Sequence, residues 1–139
     1  MDTIRFEDIE NKDGFHVTAN LVDTLSQTAT NYGIFFTALR PCEILEESEV
    51  HGTASTSGTV LVERLTGTTA KGSGSSTCVA AFSTAGAANT VQRKTTTALQ
   101  NRQLAAGDRL AIKSGGTLTN GKDLQVTVYL KYLGKGDYR

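Results

Sequence analysis

Tryptophan is absent from the 139-residue chain, proline occurs once and methionine once, and aromatic residues make up only 6%. No run of 18 apolar residues occurs, which excludes a membrane-spanning helix. The first 15 residues, MDTIRFEDIENKDGF, are acidic and hold no apolar stretch, so the sequence is read as lacking a cleaved secretory signal. Two cysteines, Cys42 and Cys78, could pair once at most and do not make a disulfide framework. Each sits in an apolar context, so both are read as reduced core thiols of a protein folded in cytosol. Large apolar residues are scarce as well: Leu, Ile, Val and Phe together number 32. That is a lean core for one domain of this length, which normally buries roughly 68–70% of its unfolded surface.

What the chain has instead is hydroxyl groups. Thr and Ser together number 30. Threonine is β-branched and suits pleated, half-buried surfaces, so the excess favours sheet over a helix bundle. The net charge is zero, yet residues 1–50 carry ten carboxylates against three bases, a net −7, and residues 51–139 carry four against eleven, a net +7. The two halves should attract each other, within a chain or between neighbours.

Residues 1–30 hold scattered apolar side chains without a period and are expected to form an extended N-terminal arm that needs something to lie on. Candidate anchors on it are Phe6, Ile9, Phe15 and Val17, either to a neighbouring surface or folded back on the chain's own domain. Residues 31–139 are expected to form the domain proper. Strands are expected over 33–39, along CEILEESEV, over Thr59–Leu65, along CVAAFST and, more weakly, over 90–99. Residues 98–106 admit at most one short helical turn. Residues 108–113 alternate, and residues 124–133 alternate for ten residues with Leu124, Val126, Val128, Leu130 and Tyr132 on one face. Asn120-Gly121 between them reads as a tight hairpin turn. About eight short strands with Gly-rich turns indicate an all-β fold, a single antiparallel β-sandwich or jelly roll.

The sequence offers no catalytic constellation. His16 and His51 are its two imidazoles, and neither sits in a nucleophile or metal motif. Glu47, Glu49 and His51 share a strand face by period two. A weak surface cation site is one reading of them; an acidic, solvated strand face is the other and is preferred, so no metal and no cofactor is expected. KGSGSST (residues 71–77) has its lysine before the glycines, the wrong order for a phosphate loop, and reads as a polar loop at one tip of the sandwich. The eleven bases of the second part are dispersed, and Tyr129 and Tyr132 point to opposite faces, so no nucleic-acid platform is expected.

Three segments carry a resemblance: VERLTGT in the middle, NRQLAAGDRLAI, and the closing GTLT with VTVYLK. Within residues 41–132 the string resembles small structural proteins of tailed-bacteriophage virions, most closely capsid decoration (cement) proteins. The resemblance implies a non-enzymatic homotrimer on the capsid surface, partnered by the major capsid protein lattice and by its own copies, with no membrane. Arg102, Asp108 and Arg109 are candidate inter-subunit ion-pair residues near a threefold axis, with a solvated strand start as the alternative. A receptor- or carbohydrate-binding module of a fibre, or a tail or neck adaptor, are the other readings of the same fold.

Overall fold

The computed structural model describes residues 14–25, 33–95 and 101–134. They form ten strands: β1 (Phe15–Thr24), β2 (Ile34–Thr37), β3 (Cys42–Thr53), β4 (Thr59–Leu65), β5 (Ser75–Ser76), β6 (Phe82–Ser83), β7 (Gln92–Thr95), β8 (Gln103–Leu104), β9 (Arg109–Gly115) and β10 (Lys122–Tyr132). No helix occurs among the described residues.

All pairing is antiparallel and nested. β1 pairs with β10, β2 with β9, β3 with β7 and β8, and β4 with β5 and β6. This long ribbon is rolled so that β10 also meets β3, and β9 also meets β4. Two five-stranded sheets result, ordered β1-β10-β3-β7 and β2-β9-β4-β5, with β8 and β6 completing their far ends. A ribbon rolled in this order is a jelly roll, as the hydroxyl-rich, Gly-punctuated sequence leads one to expect.

The core lies between the sheets. Leu124, Val126, Val128 and Leu130 of β10 face Val60 and Val62 of β4 and Leu110 and Ile112 of β9 within one apolar cluster, joined by Ile44, Phe82, Leu104 and Leu118. Full burial of side chains of this size contributes about 1.5–3 kcal/mol each. The edge strand β1 is less well covered: its inward row Phe15, Val17, Ala19 and Leu21 is only half-buried against that cluster.

Three expectations are corrected. Residues 15–24 of the expected arm are a strand of the domain, in register with β10 from Phe15↔Leu130 to Leu21↔Leu124. CVAAFST supplies only the two-residue β6; residues 66–91 are a turn-rich excursion that touches β4 at two short places. Asn120-Gly121 does not close a hairpin, because β9 and β10 belong to different sheets. Leu118 O accepts from Gly121 N at 3.0 Å and Asn120 has φ 71°, a turn whose third residue is left-handed. A Cβ on Gly121 would approach Leu25 Cδ1 to 2.8 Å, so a larger residue there would have to push the Leu25 side chain aside.

Candidate functional site

The most unusual chemistry lies inside the sandwich, where charged groups are scarce unless paired. β3 pairs Glu46 with Tyr129 and Ile44 with Leu130, leaving Leu45 as an extra residue. This bulge resets the alternation, as bulges do. Cys42 and Ile44 point inward before it, and Glu47, Glu49 and His51 point inward after it. Glu47 is 1% exposed, and Glu49 and His51 are fully enclosed. The three do share a face, but it is the buried one; the expected solvated strand face is corrected.

Each buried group is bonded to the excursion or the strand that follows it. The Thr77 hydroxyl donates to Glu47 Oε2, and the Cys78 thiol donates to Glu47 Oε1 at 3.1 Å. Gln92 Nε2 donates to Glu49 Oε1 at 2.7 Å and to the Ser83 carbonyl at 2.6 Å. His51 Nδ1 lies 2.7 Å from Glu49 Oε2, and His51 Nε2 lies 3.0 Å from the Gly86 carbonyl. On β4 a third enclosed carboxylate, Glu63, accepts from Gly72 N at 2.6 Å. Residues 66–91 are therefore fastened directly by Glu47, His51 and Glu63, and by Glu49 through Gln92. Among the described residues, no group of three or more His, Cys, Asp or Glu side chains is arranged to hold a metal ion.

Titration follows from these surroundings. Burial pushes the Glu47 carboxyl above its ordinary value, against the opposing pull of the Thr77 and Cys78 hydrogen bonds and the Lys94 charge. For His51, burial disfavours the charged ring, but the Gly86 carbonyl and then Glu49 outweigh it and raise its pKa. Burial and the neighbouring Glu47 push the Cys78 thiol to about 12, and burial with Asp108 nearby does the same for Cys42. Both cysteines are free thiols, consistent with their reading as reduced core residues. Such thiols are inert.

The outer face of the first sheet is polar and paired across strands. His16 stacks on Tyr129 with ring centroids 4.6 Å apart. Thr18 and Thr127 are 3.4 Å apart, and Gln125 Nε2 donates to Asn20 Oδ1 at 3.1 Å. Arg93 grips Glu46 with two nitrogens, and this hydrogen-bonded charge holds the Glu46 carboxyl below its usual range. Two shallow clefts open here, of about 380 Å³ beside Asn20, Val22 and Asp123 and about 330 Å³ beside His16, Ser48 and Tyr129.

The residues expected at interfaces are dispersed. Phe6 and Ile9 lie outside the described residues. Phe15 and Val17 pack on this chain's own core, and Phe15 also meets Tyr132 and Phe36 at centroid distances of 4.8 and 5.9 Å. Asp108 is buried and closes the turn before β9 by accepting from Ala105 N at 2.9 Å. Arg109 donates to the carbonyls of Gly67 and Thr69, holding the excursion. Arg102 lies 3.8 Å from Glu43 of the same chain. The opposite charges of the two parts thus meet within the molecule, where Glu43 and Glu46 of β3 face Arg102 and Arg93.

Sequence reasoning missed the roles of Thr77, Gln92 and Gly86, which lie far from β3 in the chain. The available signal was β3 itself, which carries glutamates on both of its faces. No family model matches the chain, and no curated protein matches it in sequence.

Proposed function

We propose that the chain is a non-enzymatic structural protein of a phage virion, a capsid decoration protein that trimerises and clamps adjacent major capsid subunits. The sequence resemblance suggests the class. The observation that carries the reading is the edge formed by β1 and β2. Its apolar row is half-covered, Ile34 is 47% exposed and Leu39 is 85% exposed, which leaves apolar surface for another molecule to cover. The residues that precede this edge, 1–13, carry five carboxylates against two bases, a charge pattern suited to setting register on a basic partner surface. Glu47, Glu49 and His51 are spent on internal bonds, which favours a binding role over catalysis.

A clamp of this kind acts by linkage: it binds the assembled lattice better than free subunits and so stabilises the shell. Adding the full-length protein to heads assembled without it is expected to raise their melting temperature. Removing residues 1–13, which leaves β1 intact, is expected to weaken that effect. Equal DNA release temperatures for heads with and without the protein would overturn the reading. A second reading, a carbohydrate-binding module, is favoured by the paired amides, hydroxyls and stacked ring on the outer face. Glycan-array binding without affinity for heads would select it.

A further inference from the structure

The His51–Glu49 pair supports an inference independent of any virion role. Between Thr84 and Asn89 the excursion arches over β3 with its side chains exposed. Its two ends are fixed by backbone bonds, Ser55 N to Thr84 O at 2.8 Å and Asn89 N to His51 O at 2.7 Å. In the middle of the arch, the Gly86 carbonyl rests on the buried His51 ring.

We propose that His51 is a proton-operated latch: as an imidazolium it holds the 85–88 arch down on β3, and loss of its proton releases the arch while the sandwich stays assembled.

The geometry dictates the sequence of events. A carbonyl only accepts, so the contact at Nε2 requires a proton there. Glu49 Oε2 lies against Nδ1, and Glu49 Oε1 is already occupied as an acceptor for Gln92. With Glu49 ionised, Nδ1 donates as well, and a ring that donates from both nitrogens is the charged one. When one proton leaves, the anionic acceptor retains the stronger bond, so Nδ1–H stays on Glu49 and Nε2 is left bare. Its lone pair then faces the Gly86 oxygen at 3.0 Å and repels it. The ring itself cannot turn away without stranding the buried Glu49 charge, so the arch is the part that moves.

The sign follows from the raised pKa. The latch is fully closed below the ordinary histidine value of 6.5 and opens as pH rises through the higher folded value. The charge that acts on the ring is Glu49 on β3; Asp123 on β10 borders a cleft that His51 also lines, and further along β3 Glu47 is met by Cys78 of the excursion and Lys94 of β7. Glu47, also raised, is the group whose titration has to be distinguished from that of the ring.

Nuclear magnetic resonance on the isotope-labelled full chain, titrated from about pH 6 to about pH 9, makes that distinction because it reads each ring directly. At the acid end both His51 nitrogens are expected to be protonated. As Nε2 deprotonates, the amides of residues 85–88 are expected to exchange about tenfold faster, after correction for intrinsic rates, while those of Val126 and Val128 do not change. Glu49→Gln is expected to move both midpoints to lower pH together, and Glu47→Gln to leave them in place. An unprotonated Nε2 at the acid end, arch exchange indifferent to the ring, or arch exchange that follows Glu47 in place of His51 would each overturn the proposal.

Discussion

Two neighbouring strands of the first sheet lie in register and fill the same interior by opposite means. Along β10 the inward residues are Leu124, Val126, Val128 and Leu130; opposite them on β3 stand His51, Glu49, Glu47 and Ile44. Three of four rungs set an aliphatic side chain beside a buried ionisable one. The aliphatic row needs only close packing, and β4 and β9 supply it. The ionisable row needs a partner for every polar atom, and the excursion from β4 to β7 supplies hydroxyl, thiol, carboxamide and carbonyl groups at the required points. The apolar row will accept any cover of the right volume. The polar row accepts only the one chain segment whose donors and acceptors match it, so it specifies where an otherwise shapeless loop must lie.

Cutting each row at one position gives the largest contrast. Glu49→Ala strands the His51 imidazolium in the interior and is expected to cost about 3–5 kcal/mol near pH 6, shrinking as pH rises and the ring loses its charge. Leu130→Ala is expected to cost about 2–5 kcal/mol by leaving a cavity, with no dependence on pH between the acid and alkaline limbs. Urea denaturation of both variants across that range separates the two rows; a pH-independent loss for Glu49→Ala would mean the pair is not ionic.

Replacing the whole pair sharpens the comparison at smaller amplitude. Glu49→Leu combined with His51→Phe removes the desolvation cost together with the bond, so denaturation should show it far less destabilised than Glu49→Ala alone. Hydrogen exchange should nevertheless show its 85–88 arch unfastened at every pH. The smallest effect is expected on the outer face, where Arg93→Ala removes an exposed ion pair that solvent and salt already screen. Its denaturation midpoint should match the parent in high salt.

The interior also sets the slope of stability with pH. Glu47 and His51 both bind a proton more tightly in the folded chain, so their contributions are complete below the ordinary values of 4.5 and 6.5 and are lost as pH rises through the folded ones. Glu46, with a lowered pKa, acts the other way: its contribution is present above 4.5 and is lost as pH falls through the folded value.

The parts of the fold that can be read from local pattern are those whose cause is local. The alternation of residues 124–133 names the inward row of β10 correctly, because parity within an uninterrupted strand needs no knowledge of neighbours. The grouping of Glu47, Glu49 and His51 on one face is correct for the same reason. Which way that face points depends on the bulge at Leu45, and the bulge exists only because β10 fixes the register from the other end of the chain. Asn120-Gly121 is a turn as its residue types require, yet the sheet to which each flanking strand belongs is a property of the rolled ribbon. Thr77, Gln92 and Gly86 gain their roles from distant partners, and nothing in their own neighbourhoods announces it.

The nested pairing has a consequence for how the molecule comes into being. Thr18 and Thr127 stand side by side although 109 residues separate them. A chain leaving the ribosome can therefore close neither β1 nor the inner flank of β3 until β10 has been synthesised. Contacts this distant in sequence place folding in the slow range typical of all-β topologies, roughly milliseconds to seconds. Until β10 arrives, β3 is an open edge on that flank, and its row of glutamates is the kind of charge that keeps an exposed strand edge from pairing with other chains.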